Sequence, residues 1–204
     1  MADAELAPLD PARLLDPLAA ARHVLGSVLR RVLPDGTVLT ARIVEVECYF
    51  EEDPASHTHR GPSKRNGAMF GPPGHAYIYL SYGVHWCLNV TAGEAGRGAG
   101  VLLRAVEPIQ GTGVMRQLRG LVSGSDVQLT NGPGKLTRAL GVDSSLYGHD
   151  LSLEPLQVLG GGRLSDAEVA VTPRIGISVA KEAPLRFCVA DSKFLSRKVP
   201  LRAS

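Results

Sequence analysis

The chain has 204 residues, 44% hydrophobic and 21% charged, which excludes a disordered chain and suits one domain over residues 1–204 with a single core. A net charge of +2 neither demands nor excludes a nucleic-acid partner, so any phosphate-binding surface has to come from local clustering. No apolar run reaches the roughly 20 residues that span a bilayer, and the acidic start Met1-Ala2-Asp3-Ala4-Glu5 has no signal core. No membrane is expected, and the expected location is the cytoplasm, on the nucleoid if the source is bacterial.

Apolar positions recur at three-to-four spacing over residues 11–33, which predicts two short helices separated at Pro17. Residues 37–50 read as a strand, and the polar, Gly- and Pro-rich residues 51–74 as a long functional loop. Residues 75–90 read as a hairpin turning at Tyr82-Gly83. Gly93, Gly96, Gly98 and Gly100 suggest a flexible connection, followed by a buried strand Val101–Val106 that ends before Pro108. Helices are expected over residues 111–120 and from Asn131-Gly132-Pro133-Gly134-Lys135 to Leu140. Residues 141–173 form a loosely organised return, and Arg174–Val179 and Leu185–Val189 read as closing strands. Cys48, Cys87 and Cys188 lie far apart in apolar runs, which fits buried free thiols and gives no zinc spacing.

Of five Tyr and one Trp, three Tyr and the Trp crowd into residues 77–86. Strand alternation puts Tyr77 and Tyr79 on one face. Tyr82 has the other parity and sits at the tip, where an aromatic has little core to enter. It is either an exposed liability or a tool for inserting between flat partners such as nucleobases. Parity also places Ile43, Glu45, Glu47 and Tyr49 on one face of their strand, with Val44, Val46 and Cys48 on the other. Two carboxylates two residues apart fit a solvated strand face equally well on spacing alone. Arg104, inside an apolar strand, tips the balance, because a buried Arg needs an anionic partner, and Glu45 and Glu47 are the candidates. A carboxylate held by Arg stays ionised and can accept a proton from water. Arg60, Lys64 and Arg65 form a local basic cluster suited to phosphate. His57 and His59 could pair on a metal but lack a third ligand in reach. Lys135 at a helix start is either part of a cap or a phosphate clamp.

These segments, in order, are Arg42-Ile43-Val44-Glu45-Val46-Glu47-Cys48-Tyr49, Pro54-Ala55-Ser56-His57, Arg65-Asn66, Met69-Phe70, Tyr77-Ile78-Tyr79, Tyr82-Gly83, Asn89, Val101-Leu102-Leu103-Arg104-Ala105-Val106-Glu107-Pro108, Asn131-Gly132-Pro133-Gly134-Lys135-Leu136 and Pro184-Leu185-Arg186-Phe187. Over about residues 10–190 their order resembles the alkyladenine (3-methyladenine, methylpurine-type) DNA glycosylase family. Each piece is weak alone, and the ordered combination is specific.

The resemblance implies a mixed α+β fold: a single domain with a curved antiparallel sheet, surrounding helices and a protruding hairpin that inserts into DNA. It implies a monomeric, monofunctional glycosylase without cofactor or metal. Its partner would be double-stranded DNA holding damaged purines (3-methyladenine, 7-methylguanine, hypoxanthine, ethenoadenine), which it flips out and hydrolyses at the N-glycosidic bond to start base excision repair. By that similarity Glu47 is the general base and Arg104 positions the water, with the carbonyl near Ile175 as a further ligand. Tyr49, His57 and Tyr79 would enclose the flipped base, and Asn89 would exclude guanine by its 2-amino group. Tyr82 would fill the gap in the stack, with Val84 beside it, and Arg65 and Lys135 would hold DNA. Cys48, between Glu47 and Tyr49, departs from the pattern and would tighten the wall behind the site. Two other classes remain: a module that binds damaged DNA without cleaving it, and a carbohydrate hydrolase using Glu45 and Glu47 as its pair.

Overall fold

Strand β2, Val38–Tyr49, organises the molecule. The computed structural model describes residues 6–160 and 164–199. Along one edge β2 pairs antiparallel with β5 (Gly100–Gln110) from Thr40 to Tyr49. Its other edge is shared. β1 (Val28–Val32) takes Val38–Arg42, and β8 (Arg186–Val189) takes Glu45–Glu47. β6 (Leu156–Leu159) pairs with β1, and β7 (Val169–Thr172) with β8. The hairpin of β3 (Ala76–Ser81) and β4 (His85–Thr91) extends the sheet from β5, giving eight strands in a curled α+β domain.

The curl has a local cause. Ile43 lies opposite Val106 and Glu45 opposite Ala105, so Val44 is an extra residue where β2 exchanges β1 for β8. Such a bulge bends the strand and increases its twist. It also breaks the expected parity. Ile43 joins Val46 and Cys48 in the main core, while Val44 enters a small second core with Ala105, Cys188 and Phe194. Glu45, Glu47 and Tyr49 keep the functional face without Ile43.

Helices cover the main core. α1 (Pro17–Val24) starts where the Asp16 carboxylate accepts the Ala19 N–H at 2.7 Å, and it buries Ala20, Ala21 and Val24 against β2 and β5. α2 (Thr112–Arg119), the single turn α3 (Val127–Thr130) and α4 (Pro133–Ala139) pack together, α4 lying on β4. Leu14, Leu29, Leu39, Ile43, Leu88 and Leu103 are fully buried, each contributing about 1.5–3 kcal/mol over the exposed state.

Four expectations are corrected. Residues 28–32 form β1, not helix, because over so short a run helical and two-residue spacing overlap and the open edge of β2 decides. β5 continues through Pro108, which sits beside a register irregularity where β4 no longer pairs, so its missing N–H breaks no ladder on that edge. Residues 92–100 are not a loose tether, since Gly98, Ala99 and Gly100 are buried. A Cβ on Gly98 would come within 2.6 Å of Thr58 and 2.7 Å of Phe70, so this glycine permits close packing. Arg174–Val179 form no strand, since the Ile175 N–H is spent on a side chain instead of a ladder. The three cysteines are free and buried, and among the described residues no helix is long and apolar enough to cross a membrane.

Candidate active site

A cavity of about 550 Å³ opens beside the hairpin, a size that suits a small-molecule or base pocket. Tyr49, Arg104 and Ile175 form its inner wall. Glu47, fully buried, lies directly behind them. Its Oε2 accepts the Tyr49 hydroxyl at 2.8 Å and Arg104 Nη1 at 3.2 Å, and its Oε1 accepts the Ile175 N–H at 2.7 Å. Three donors suit a carboxylate and not a carboxylic acid. An ionised carboxyl has about four acceptor sites, so room remains for one water. Burial and the neighbouring Glu47 charge push the Tyr49 phenol well above its ordinary range, so Tyr49 keeps its proton and donates. The Ile175 carbonyl lies 3.5 Å from Arg104 Nη1, which also donates to Glu47.

Glu45 is held differently. It accepts Arg104 Nε at 3.2 Å, Arg186 Nε at 2.7 Å, and the Ser196 N–H and hydroxyl at 2.5 and 2.7 Å. Four donors occupy it against three on Glu47, so it has no acceptor site left for a water, and the paired-carboxylate hydrolase loses its second acid. Arg104 therefore bridges both acids, as its placement in an apolar strand predicts. Burial opposes its charge, but Glu47 and Glu45 outweigh this and raise its pKa.

The side wall is aromatic. Tyr77 and Tyr79 stack at 5.5 Å between ring centroids, and His57 meets Tyr79 edge-on at 4.5 Å. His57 Nδ1 lies 2.9 Å from the Tyr77 hydroxyl. Burial, then the Arg65 charge, lowers the His57 pKa, leaving a neutral ring at pH 7. Burial pushes the Tyr77 phenol up to about 12. Asn66 shapes the loop that delivers His57, donating to the His57 carbonyl at 2.8 Å and the Gly61 carbonyl at 3.1 Å. His59 points outward, Nδ1 to the Glu51 carbonyl at 3.2 Å, so the two histidines diverge. Among the described residues no three metal-ligating side chains converge.

Asn89 faces the cavity from β4, its amide fixed by donation to the Tyr77 carbonyl at 3.1 Å. Arg65 lies over the Tyr79 ring at 5.4 Å, at the mouth. The hairpin is laddered to β5 only through Asn89–Thr91, so its outer half projects. Val84 N–H closes the turn onto the Ser81 carbonyl at 3.0 Å, and Tyr82 (φ 50°) and Gly83 (φ 70°) are both left-handed, the pattern of a type I′ turn. A bulky residue held there is strained by about 1–3 kcal/mol, and Tyr82 is 93% exposed. Val84 beside it is 69% exposed. Lys135, in the first turn of α4, is tied to Asn131 Oδ1 at 2.7 Å, two residues from Pro133 on the cavity rim. Cys48 does not line the cavity: it belongs to the core behind β2, its thiol directed at the Pro17 carbonyl. Cys87 is the cysteine at the cavity.

Methylpurine-DNA glycosylase is the description of the family model that matches residues 12–193. The chain belongs to the methylpurine-DNA glycosylase family. Three relatives, each provisionally named a 3-methyladenine DNA glycosylase, match over most of their length. One from Carboxydothermus hydrogenoformans is 44% identical over 90% of this chain and 95% of its own. One from Nitrosospira multiformis is 49% identical over 87% of each, and one from Methanoculleus marisnigri 43% over 90% and 95%. The chain is thus a DNA glycosylase, and DNA is its partner.

Sequence reasoning missed several residues around the glycosylase site. Strand parity puts Tyr77 on the face of Tyr79, but nothing in the sequence gives it a role. Arg186, a charge in the apolar run over residues 185–189 like Arg104 in its own, carries a signal that went unused, whereas Ser196, its fellow anchor of Glu45, and Asp53 and Arg174, which meet across 121 positions, have no pattern that pairs them. Only an unexplained buried charge, Arg174 before Ile175, could have pointed to that last pair.

Proposed function

We propose that this glycosylase flips alkylated or deaminated purines, among them 3-methyladenine, 7-methylguanine, hypoxanthine and ethenoadenine, out of duplex DNA and releases them. The carrying observation is Glu47, held by Arg104, Tyr49 and the Ile175 amide behind a cavity walled by Tyr77, Tyr79 and His57. Glu47 takes a proton from a water as the oxygen bonds C1′. The C1′–N bond breaks, its electron pair leaving with the purine. A purine alkylated at N3 or N7 is cationic and departs neutral, and electron-rich tyrosine faces favour it while bound. The buried carboxylate also stabilises the oxocarbenium-like transition state. Arg104 and the Ile175 carbonyl would orient the water. Neutral bases such as hypoxanthine need a proton as well. No lysine lines the cavity among the described residues, so a Schiff-base lyase step lacks its nucleophile.

Flipping costs a few kcal/mol, least for damaged pairs. Tyr82, with Val84 beside it, offsets this by filling the vacated stack, while Arg65 and Lys135 hold the backbone. The Asn89 amide meets the guanine 2-amino group and disfavours it, which spares normal guanine; 7-methylguanine carries the same group but is released because its cationic ring departs readily. One chain supplies every residue of the site, which is consistent with an enzyme that acts as a monomer. The test is release of free base from duplexes carrying each of these lesions. Release from at least one supports the reading. Tight binding with no release from any would make this a damage-binding module.

A further inference from the structure

The segment between Thr172 and Arg186 contains neither helix nor strand, yet it delivers both backbone groups of Ile175 to the catalytic pair. No sheet ladder holds it there. What fixes it is the neighbouring side chain. Arg174, its side chain fully buried, grips the Asp53 carboxylate with both terminal guanidinium nitrogens, Nη2 at 2.9 Å from Oδ1. Nη1 also donates to the Cys48 carbonyl at 3.1 Å, and the guanidinium lies over the Tyr49 ring at 4.5 Å. It therefore holds the two-residue step of β2 that presents Glu47 and Tyr49. Asp53 is itself fixed in the turn after β2, where Oδ1 accepts the Ala55 N–H at 3.0 Å.

Neither residue lines the cavity, so neither meets the base. The planar fork and the paired oxygens set direction as well as distance. We propose that Asp53 and Arg174 form a positioning pair for base release, which sets the Ile175 amide and the Tyr49 ring on Glu47. The inference rests on the glycosylase reading above and deepens it. A displacement of about 1 Å in such a group costs on the order of 100-fold in rate.

The experiment is single-turnover base release, alongside equilibrium binding of the same lesion duplex, for wild type, Asp53→Asn and the double variant Asp53→Leu/Arg174→Met. Breaking one partner of a buried pair strains the fold, whereas an apolar pair of similar size retains it. The double variant therefore decides if Asp53→Asn does not fold. The expected result is a folded variant with release slowed roughly 10- to 100-fold and unchanged duplex binding. Wild-type release by a folded variant, or equal losses of binding and rate, overturns the proposal. A wild-type protein that releases no base from any lesion overturns the glycosylase reading itself, and this pair's role with it.

Discussion

Glu47 and Glu45 are two residues apart on one strand, equally buried, and do different work because their donors differ. Glu45 is saturated by Arg104, Arg186 and Ser196, while Glu47, with three donors, keeps one acceptor site free. The same logic of environment over identity applies to His57. Its folded pKa lies below the ordinary 6.5, through burial and then Arg65. Between those values the unfolded chain binds the proton and the folded one does not, so stability falls as pH drops below 6.5 and is fully present above it. Replacing His57 by Gln should therefore flatten part of the loss of stability as pH falls below 6.5, read from urea unfolding. A steeper loss in the variant would show that the histidine is stabilised by protonation instead.

At the scale of elements, the hairpin and the loops around it divide the labour. Tyr82 contributes nothing to the core and sits strained and exposed, so Tyr82→Ala should leave thermal stability within about 0.5 kcal/mol. It should weaken flipping by a few kcal/mol, most on well-paired lesions. Unchanged release from a well-paired lesion would remove the wedge role. The buried Gly98 loop braces Thr58, next to His57, through a 2.9 Å bond from the Thr58 hydroxyl to the Gly98 carbonyl. Gly98→Ala has to displace Thr58 and Phe70 and should cost about 1–3 kcal/mol in urea unfolding. A neutral effect would mean the loop can give way.

Across the whole molecule, the sequence was legible wherever a local rule was also the global one. The strand over 37–50, the tip at Tyr82-Gly83 and the helices after Gly111 and Gly132 all appear, because strand and helix starts are decided within a few residues. The buried Arg104 found its acids because a charge in an apolar run admits few partners. Tertiary competition hid the rest. The β2 bulge at Val44 turns Ile43 away from the site, and the open β2 edge makes Val28–Val32 a strand. Arg174–Val179 is irregular because Arg174 and the Ile175 amide bind side chains of distant segments. Asp53 and Arg174 are joined by shape alone, which no spacing encodes.

The central claim is that Glu47 activates the water that releases the base. Glu47→Gln keeps the size and hydrogen-bonding reach of the side chain and removes its ability to take the proton. The most direct measurement is single-turnover release, with binding measured alongside, for wild type and Glu47→Gln on a duplex carrying 3-methyladenine or, where that lesion is too labile, hypoxanthine. The account predicts retained binding and a release rate at least about 100-fold lower, within the range general-base catalysis supplies. Release by Glu47→Gln near the wild-type rate would contradict it.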